Sequence, residues 1–153
     1  TQSVINDYLP HGDPFVVEIG SNDGIMLQHF KEKNIRHLGV EPSANVAKVA
    51  IDKGFNTVSA FFDEALANEI VDKHGQADAF IGANVMCHIP NLQSVIDGIK
   101  ILLKPNGIIM FEYLCNMGAI EGDRTFFVGL PLKLPDSDGA PARAIAIDGI
   151  TEE

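Results

Sequence analysis

The chain has 153 residues, of which 46% are hydrophobic, so it is long enough for one ordinary domain with a substantial core. Its 21 acidic and 11 basic side chains give a net charge of −10, which excludes the basic surface that a nucleic-acid binder needs. The sequence shows no membrane-spanning run, no signal peptide and no C-x-x-C pair. We therefore expect a cytoplasmic protein with a small-molecule ligand and no metal, nucleic-acid or membrane partner.

The most informative stretch is Phe15–Gly24, which reads FVVEIGSNDG. Its apolar, β-branched start predicts a buried strand, and the amphipathic segment after Gly24 predicts a helix. Glycines in such a turn let a ligand approach the backbone closely, although an ordinary structural turn is the alternative. The dinucleotide pattern G-x-G-x-x-G, counted from Gly20, fails at Asn22 and Ile25, so an NAD-dependent oxidoreductase is disfavoured.

Strands and helices alternate along the chain up to its fifth predicted strand. The predicted strands after the first are Leu38–Glu41, Phe55–Ser59, Ala79–Ala83 and Ile108–Phe111. The predicted helices cover residues 1–9 and 25–34 and begin after Ser43, Asp63 and Asn91, the last one ending at Lys104–Gly107. This alternation predicts an α/β, Rossmann-like fold with a mostly parallel sheet and helices on both faces. In such folds the ligand lies at the carboxyl ends of the strands.

The pattern weakens after Cys115. Two apolar stretches, Thr125–Leu134 and Ala142–Ile150, predict a C-terminal antiparallel hairpin. We therefore expect a core domain over residues 1–115 and a tail over residues 116–153. The hairpin would complete the sheet or pair with a second copy of the chain in a homodimer.

Glu41 is the strongest single candidate for ligand binding. It ends the second predicted strand, about 20 residues beyond the turn that carries Glu18 and Gly20. A carboxylate at that place can accept hydrogen bonds from the hydroxyl groups of a ribose, and its charge disfavours a 2′-phosphate. The alternative is an exposed loop carboxylate without a ligand.

Two segments, Glu18–Gly24 and Gly39–Ser43, together resemble the class I methyltransferases that use S-adenosyl-L-methionine (SAM). The family's turn is an acidic residue followed by G-x-G-x-G, and Asn22 stands here at the middle glycine. Ala83–Pro90 and Leu102–Gly107 are similar to a narrower group, the C-methyltransferases of nucleotide-linked deoxysugars. The resemblance implies SAM as the cofactor and a small-molecule methyl acceptor.

The resemblance also implies roles for individual residues. The implied cofactor contacts are Glu18, Gly20, Ser21, Asn22, Gly24, Glu41, Pro42, Phe61, Phe62 and Asn84. The turn would meet the methionine part of SAM, Glu41 would hold the ribose, and Phe61 or Phe62 would flank the adenine. Packing in the core is the alternative for the two phenylalanines.

Methylation of a sugar carbon requires removal of a proton beside a carbonyl group, so a base is needed. His88, after the fourth strand, is the first candidate because histidine titrates near neutral pH, and Tyr113 is the second. The alternative for His88 is a structural imidazole. Cys87, next to His88, could be imagined as a nucleophile, but we discount that role because neighbouring side chains at a strand end usually point apart.

The sequence departs from the sugar C-methyltransferases at both ends. The resemblance implies a larger protein, with a cysteine-rich zinc segment before the core and a further domain after it. It also implies a catalytic stretch that residues 116–153 do not match. We therefore keep two functions in view. One is a small-molecule methyltransferase, and the other is a truncated fragment or a non-catalytic module that binds SAM or S-adenosylhomocysteine.

Overall fold

A computed structural model describes residues 9, 12–83, 85, 89–111, 126–131 and 142–147. The strands are β1 (Phe15–Ile19), β2 (Arg36–Val40), β3 (Thr57–Val58), β4 (Ala77–Gly82), β5 (Leu103–Phe111), β6 (Phe126–Pro131) and β7 (Ala142–Ile147). The helices are α1 (Leu27–Lys31), α2 (Ala44–Asp52), α3 (Glu64–His74) and α4 (Leu92–Leu102). The chain divides into two compact units, Thr1–Phe111 and Glu112–Glu153. The predicted boundary after residue 115 stays a prediction, and the predicted leading helix lies outside the described residues except for Leu9.

The first unit is built on a parallel sheet of five strands in the order β3-β2-β1-β4-β5. All four neighbouring pairs are parallel, which confirms the predicted Rossmann-like α/β fold. Strand β1 lies between β2 and β4, so the chain changes direction across the sheet at β1. The crevice beside that change is where open α/β sheets bind their ligands.

Each face of the sheet has its own apolar core. Neighbouring side chains of a strand point to opposite faces, and accordingly Val17 belongs to one core and Val16 to the other. The core around Val17 includes Phe80 and Ile99, the latter from α4. The core around Val16 includes Phe30 from α1. Helices on both faces follow from this division, as the sequence predicts.

The helix after the glycine turn is shorter than predicted. It begins at Leu27 rather than Ile25, because residues 22–26 form turns in which Asn22 and Gly24 have φ of +49° and +85°. It ends at Lys31, and Asn34 with φ of +56° then redirects the chain. Left-handed residues of this kind interrupt a right-handed helix.

Two predicted strand bounds also need correction. Strand β3 has two residues instead of five, since only Thr57 and Val58 pair with β2. Strand β5 begins at Leu103, so the stretch Lys104–Gly107 belongs to the strand and does not follow the helix as a separate stop. The stretch is irregular all the same, because Asn106 has φ of +64° and the β4–β5 register shifts between Ala77 and Ala79.

The second unit is described through two strands. Strands β6 and β7 pair antiparallel, with Phe126 opposite Ile147 and Pro131 opposite Ala142. The segment that would connect them as a hairpin lies outside the described residues. The hairpin as a complete element, and its role in the sheet or in a dimer, therefore stay predictions.

Two features are absent from the described residues. None of the helices there is both long and apolar enough to cross a membrane. The same residues contain no group of three or more His, Cys, Asp and Glu side chains that could hold a metal ion. The cytoplasmic location stays a prediction.

Candidate functional site

The turn after β1 is bound to the end of β2 by backbone hydrogen bonds. The N–H groups of Gly20 and Ser21 both donate to the carbonyl oxygen of Val40, at 2.8 Å and 3.3 Å. The turn closes on itself where the Gly24 N–H donates to the Ser21 carbonyl at 3.0 Å. Gly20 has φ of +61° and Asn22 has φ of +49°, so the turn alternates into the left-handed region that glycine and asparagine tolerate best.

The glycines of this turn are also required by packing inside the chain. A Cβ atom at Gly20 would lie 2.8 Å from Cγ2 of Val85, and one at Gly24 would overlap the ring of Phe55. The sequence predicts that these glycines leave room for a ligand. That interpretation needs correction on the side where a Cβ atom would project, because Val85 fills that space at Gly20 and Phe55 fills it at Gly24.

Gly39 is a residue whose importance the sequence analysis missed. It lies in β2, and a Cβ atom there would come within 2.5 Å of the Ser21 hydroxyl and 2.8 Å of Cδ1 of Leu27. Its lack of a side chain lets the turn pack directly on the strand. A glycine inside an apolar strand often marks such a close approach, and that was the available signal.

The carboxylate of Glu41 is oriented by two backbone amides. Its Oε2 accepts a hydrogen bond from Asn22 N–H at 3.0 Å, and its Oε1 accepts one from Ser43 N–H at 2.8 Å. The residue is only 6% exposed, so the alternative of an exposed loop carboxylate is wrong. Each carboxylate oxygen can accept about two hydrogen bonds, which leaves both oxygens able to accept another donor.

Beside Glu41, a cavity of about 490 Å³ opens at the carboxyl ends of the strands. Its wall is mainly apolar and comes from the ends of β1 and β2 and from the segments after β3 and β4. The lining residues are Ile19, Gly20, Val40, Pro42, Ala60, Phe61, Phe62, Asp63, Val85, Ile89, Pro90, Asn91, Ser94 and Val95. The cavity has the size and apolar character of a small-molecule site.

The two candidate phenylalanines are in different environments. Both line the cavity, but Phe61 is 78% exposed, whereas Phe62 is 7% exposed and belongs to the core of the sheet. The ring of Phe62 packs against Phe80 with a centroid distance of 5.3 Å. Packing therefore accounts for Phe62, and Phe61 has the ring surface that a flat ligand could cover.

The starts of two helices reach the same cavity. Asp63 caps α3 by accepting the Leu66 N–H at 2.8 Å, and Asn91 caps α4 by accepting the Ser94 N–H at 3.3 Å. The sequence predicts both caps but did not predict that Asp63, Asn91 and Ser94 line the cavity. Only the assembly of β3 and β4 into the same parallel sheet brings these helix starts to the ligand edge.

Other predicted site residues either do not line this cavity or lie outside the described part of the chain. Glu18 and Ser21 are buried, at 3% and 1% exposure. The Ser21 hydroxyl has no hydrogen-bond partner among the described residues. Asn84, His88 and Tyr113 lie outside the described residues, as does Cys87.

One charged pair belongs to the turn. Lys53 Nζ lies 2.5 Å from Oδ2 of Asp23. The hydrogen bond and positive charge of Lys53 hold the pKa of the Asp23 carboxyl below its usual value of 3.8. Asp23 is therefore ionised at neutral pH.

The sequence belongs with known methyltransferase sequences. The family model of a methyltransferase domain matches residues 7–136. The C-methyltransferase NovU of Streptomyces niveus is 39% identical over 104 residues, which cover 68% of this chain and 24% of that protein. The chain thus spans about a quarter of the length of this relative.

Solved structures share the fold. A SAM-dependent methyltransferase from Archaeoglobus fulgidus superposes with a TM-score of 0.55 at 22% identity, over 67% of this chain and 45% of that one. Coclaurine N-methyltransferase, bound to N-methylheliamine and S-adenosylhomocysteine, gives a TM-score of 0.52 at 15% identity, over 71% and 32% of the two chains. At these identities the likeness is one of fold.

Proposed function

The chain belongs to the class I SAM-dependent methyltransferases, and we propose that it binds SAM at the carboxyl edge of its sheet and transfers the methyl group to a small molecule. SAM is the cofactor of this family. The finer part of the proposal is methylation at carbon, on a nucleotide-linked keto-deoxysugar. The identity of 39% to a protein named a C-methyltransferase supports the carbon, and the resemblance of Ala83–Pro90 to the sugar C-methyltransferases supports the sugar.

The observation that carries the proposal is the buried carboxylate of Glu41. Two backbone N–H groups fix its orientation, and its chain neighbours Val40 and Pro42 both line the cavity. A charged acceptor held in this way suits a pair of ribose hydroxyl groups, because it needs no rearrangement to bind them.

The other residues fit a nucleoside with a flat aromatic base. The cavity of about 490 Å³ lies within the range of small-molecule sites, roughly 300–1,000 Å³. The exposed ring of Phe61 would cover the adenine, while the turn from Glu18 to Gly24 would hold the methionine part. Asn84 stays a proposed contact near the methyl group.

SAM supplies an electrophilic methyl group, so the chain needs to provide orientation, exclusion of water and a proton acceptor. For methylation beside a carbonyl group, the base takes the proton from the acceptor carbon before that carbon bonds to the methyl group. We propose His88 as this base, with Tyr113 as the second candidate. The acceptor, the cytoplasmic location and a homodimer are parts of the same proposal.

Calorimetry with SAM, S-adenosylhomocysteine and NAD tests the cofactor assignment. The protein should bind the first two and not the third. Glu41→Gln should weaken SAM binding by roughly 1–3 kcal/mol, the scale of lost charge-assisted hydrogen bonds. Glu69→Gln, an exposed carboxylate on α3, is the control with the same change of charge. Equal SAM affinity in the two variants would remove Glu41 from the site.

Activity needs a second experiment, with a panel of keto-sugar nucleotides as acceptors. His88→Asn should leave SAM affinity nearly unchanged and slow methyl transfer by roughly 10²–10⁴-fold, the usual range for a general base. If His88→Asn is as fast as the parent protein, the base lies elsewhere and Tyr113 is tested next. SAM binding with no transfer to any acceptor would favour the non-catalytic binding module.

A further inference from the structure

The ion pair of Asp23 and Lys53 joins the glycine turn to the far end of α2. Lys53 is the residue that follows α2, and its Nζ lies 2.5 Å from Oδ2 of Asp23. The side chain of Lys53 is 47% exposed and that of Asp23 is 43% exposed, so the pair is accessible to water and salt. The two residues are 30 positions apart in the sequence, Asp23 before β2 and Lys53 after it.

Two further contacts hold the turn and α1 against the segment that follows α2. The α-carbon of Gly24 packs against the ring of Phe55, where a side chain would not fit. The second contact comes from Lys31 at the end of α1, whose Nζ donates to the carbonyl oxygens of Lys53 and Gly54, at 3.1 Å and 2.9 Å. The end of α2 is thus held against the turn and the helix that follows it.

The inner side of the turn carries the contact to Glu41. The residue before Asp23 is Asn22, whose N–H donates to Glu41 Oε2 at 3.0 Å. Asn22 holds φ of +49°, a conformation that asparagine tolerates better than most residues, and its side-chain amide donates to the Gly20 carbonyl at 3.0 Å. Asp23 is bonded directly to Asn22 in the chain, so a contact that anchors Asp23 also restricts where the Asn22 amide can lie.

We propose that Asp23 and Lys53 are a positioning pair, which holds the Asn22 amide against the Glu41 carboxylate and thereby sets the affinity for SAM. The affinity part rests on the proposed function. Neither residue lines the cavity, so both act through Asn22 and Glu41.

The chain offers a matched control for this pair. Lys48 and Asp52 form a second exposed ion pair on α2, at 2.8 Å, between residues of that helix alone. Lys53→Gln and Lys48→Gln therefore make the same change of charge, the first at the residue that follows α2 and the second within α2. Only the first removes a contact to the turn.

The first measurement is SAM affinity by calorimetry. Lys53→Gln should weaken SAM binding by about 2- to 5-fold, the range for an exposed ion pair, while Lys48→Gln binds as the parent does. The loss should shrink at 1 M salt, where the screening length is about 3 Å, and Lys53→Arg should restore affinity. Adding Asp23→Asn to Lys53→Gln should weaken binding no further, because the pair is already broken. Equal losses in the two glutamine variants would overturn the proposal.

The second measurement needs no cofactor. Hydrogen exchange at the Asn22 amide, followed by NMR without SAM, should be faster in Lys53→Gln than in Lys48→Gln by a similar factor. If the parent protein binds no SAM, the proposed function fails while this measurement still tests the pair. Identical Asn22 exchange in both variants would show that the ion pair does not position the amide.

Discussion

Gly24 and Gly75 both have a positive φ, of +85° and +81°, but different surroundings. A Cβ atom at Gly24 would overlap Phe55, whereas one at Gly75 would meet no described atom within 4 Å. At the scale of the residue, the two positions therefore separate backbone strain from packing. At Gly24, both the backbone conformation and the packing require glycine. At Gly75, which follows α3, only the backbone conformation does.

This comparison gives a prediction for stability. Gly75→Ala should lower the free energy of unfolding by roughly 1–3 kcal/mol, the cost of placing a residue with a Cβ atom at φ of +81° and ψ of 175°. Gly24→Ala should lower it by about 1–3 kcal/mol more, because Phe55 must move. Urea unfolding at equilibrium measures both variants. Equal losses would mean that Phe55 yields at no cost and that packing does not require the glycine.

At the scale of the element, α2 and α3 begin in different ways. The sequence predicts side-chain caps at Ser43 and Asp63. Asp63 accepts the Leu66 N–H, but the Ser43 hydroxyl donates to Asn45 Oδ1 at 2.7 Å and makes no cap hydrogen bond. The start of α2 is instead tied to the site by Ser43 N–H, which donates to Glu41.

The caps lead to the second prediction. Asp63→Ala should lower the free energy of unfolding by about 0.5–2 kcal/mol, the range for a lost N-cap. Ser43→Ala should have a much smaller effect, since its hydroxyl satisfies no orphan amide of α2. The two variants are compared by urea unfolding. A loss at Ser43 as large as that at Asp63 would contradict this account of the two helix starts.

The other end of α3 predicts a dependence on pH. Partial burial lowers the pKa of His74 below its usual value of 6.5, and the positive charges of Lys73 and Arg36 act in the same direction. Its ring packs against Phe15 at a centroid distance of 5.7 Å. The unfolded chain then binds the proton more readily, so this contribution to stability is complete above pH 6.5 and is lost as the pH falls through the folded pKa.

The stability of the parent protein should therefore fall from pH 7.5 to pH 5 more than that of His74→Gln. Urea unfolding at the two pH values measures the difference, and His29→Gln, at an exposed position on α1, is the control. If His74→Gln keeps the full dependence on pH, then other groups account for it.

At the scale of the whole molecule, the open question is how many copies assemble. Strand β6 contains Phe126, Phe127, Val128 and Leu130, which make it one of the most apolar strands of the sequence. An apolar strand at a sheet edge is a site for pairing with a second chain. This supports the homodimer that we propose.

Light scattering at micromolar concentration should then report twice the chain mass of 16.5 kDa. Val128→Lys should shift the mass towards a single chain, because a charged side chain on an edge strand opposes pairing. Dilution of the parent protein is the control for reversible association. A mass of one chain at every concentration would refute the dimer.

The sequence by itself determined the elements and the family. Four of the five parallel strands were predicted within a few residues of their bounds, since a buried strand between glycine and polar turns is a local pattern. The position of Glu41 at the end of the second strand was also predictable, because it is a spacing along the chain. SAM as the cofactor followed from the resemblance of Glu18–Gly24 and Gly39–Ser43 to the family.

The tertiary structure decided which residues meet. It placed Val85 against Gly20, left the ring of Phe61 exposed while burying Phe62, and joined Asp23 to Lys53. Each of these depends on contacts between residues that are distant in sequence, and local patterns do not specify such contacts. The sequence could name Glu41 as the candidate for the ribose, but the amides that orient its carboxylate are fixed only when the turn packs on β2.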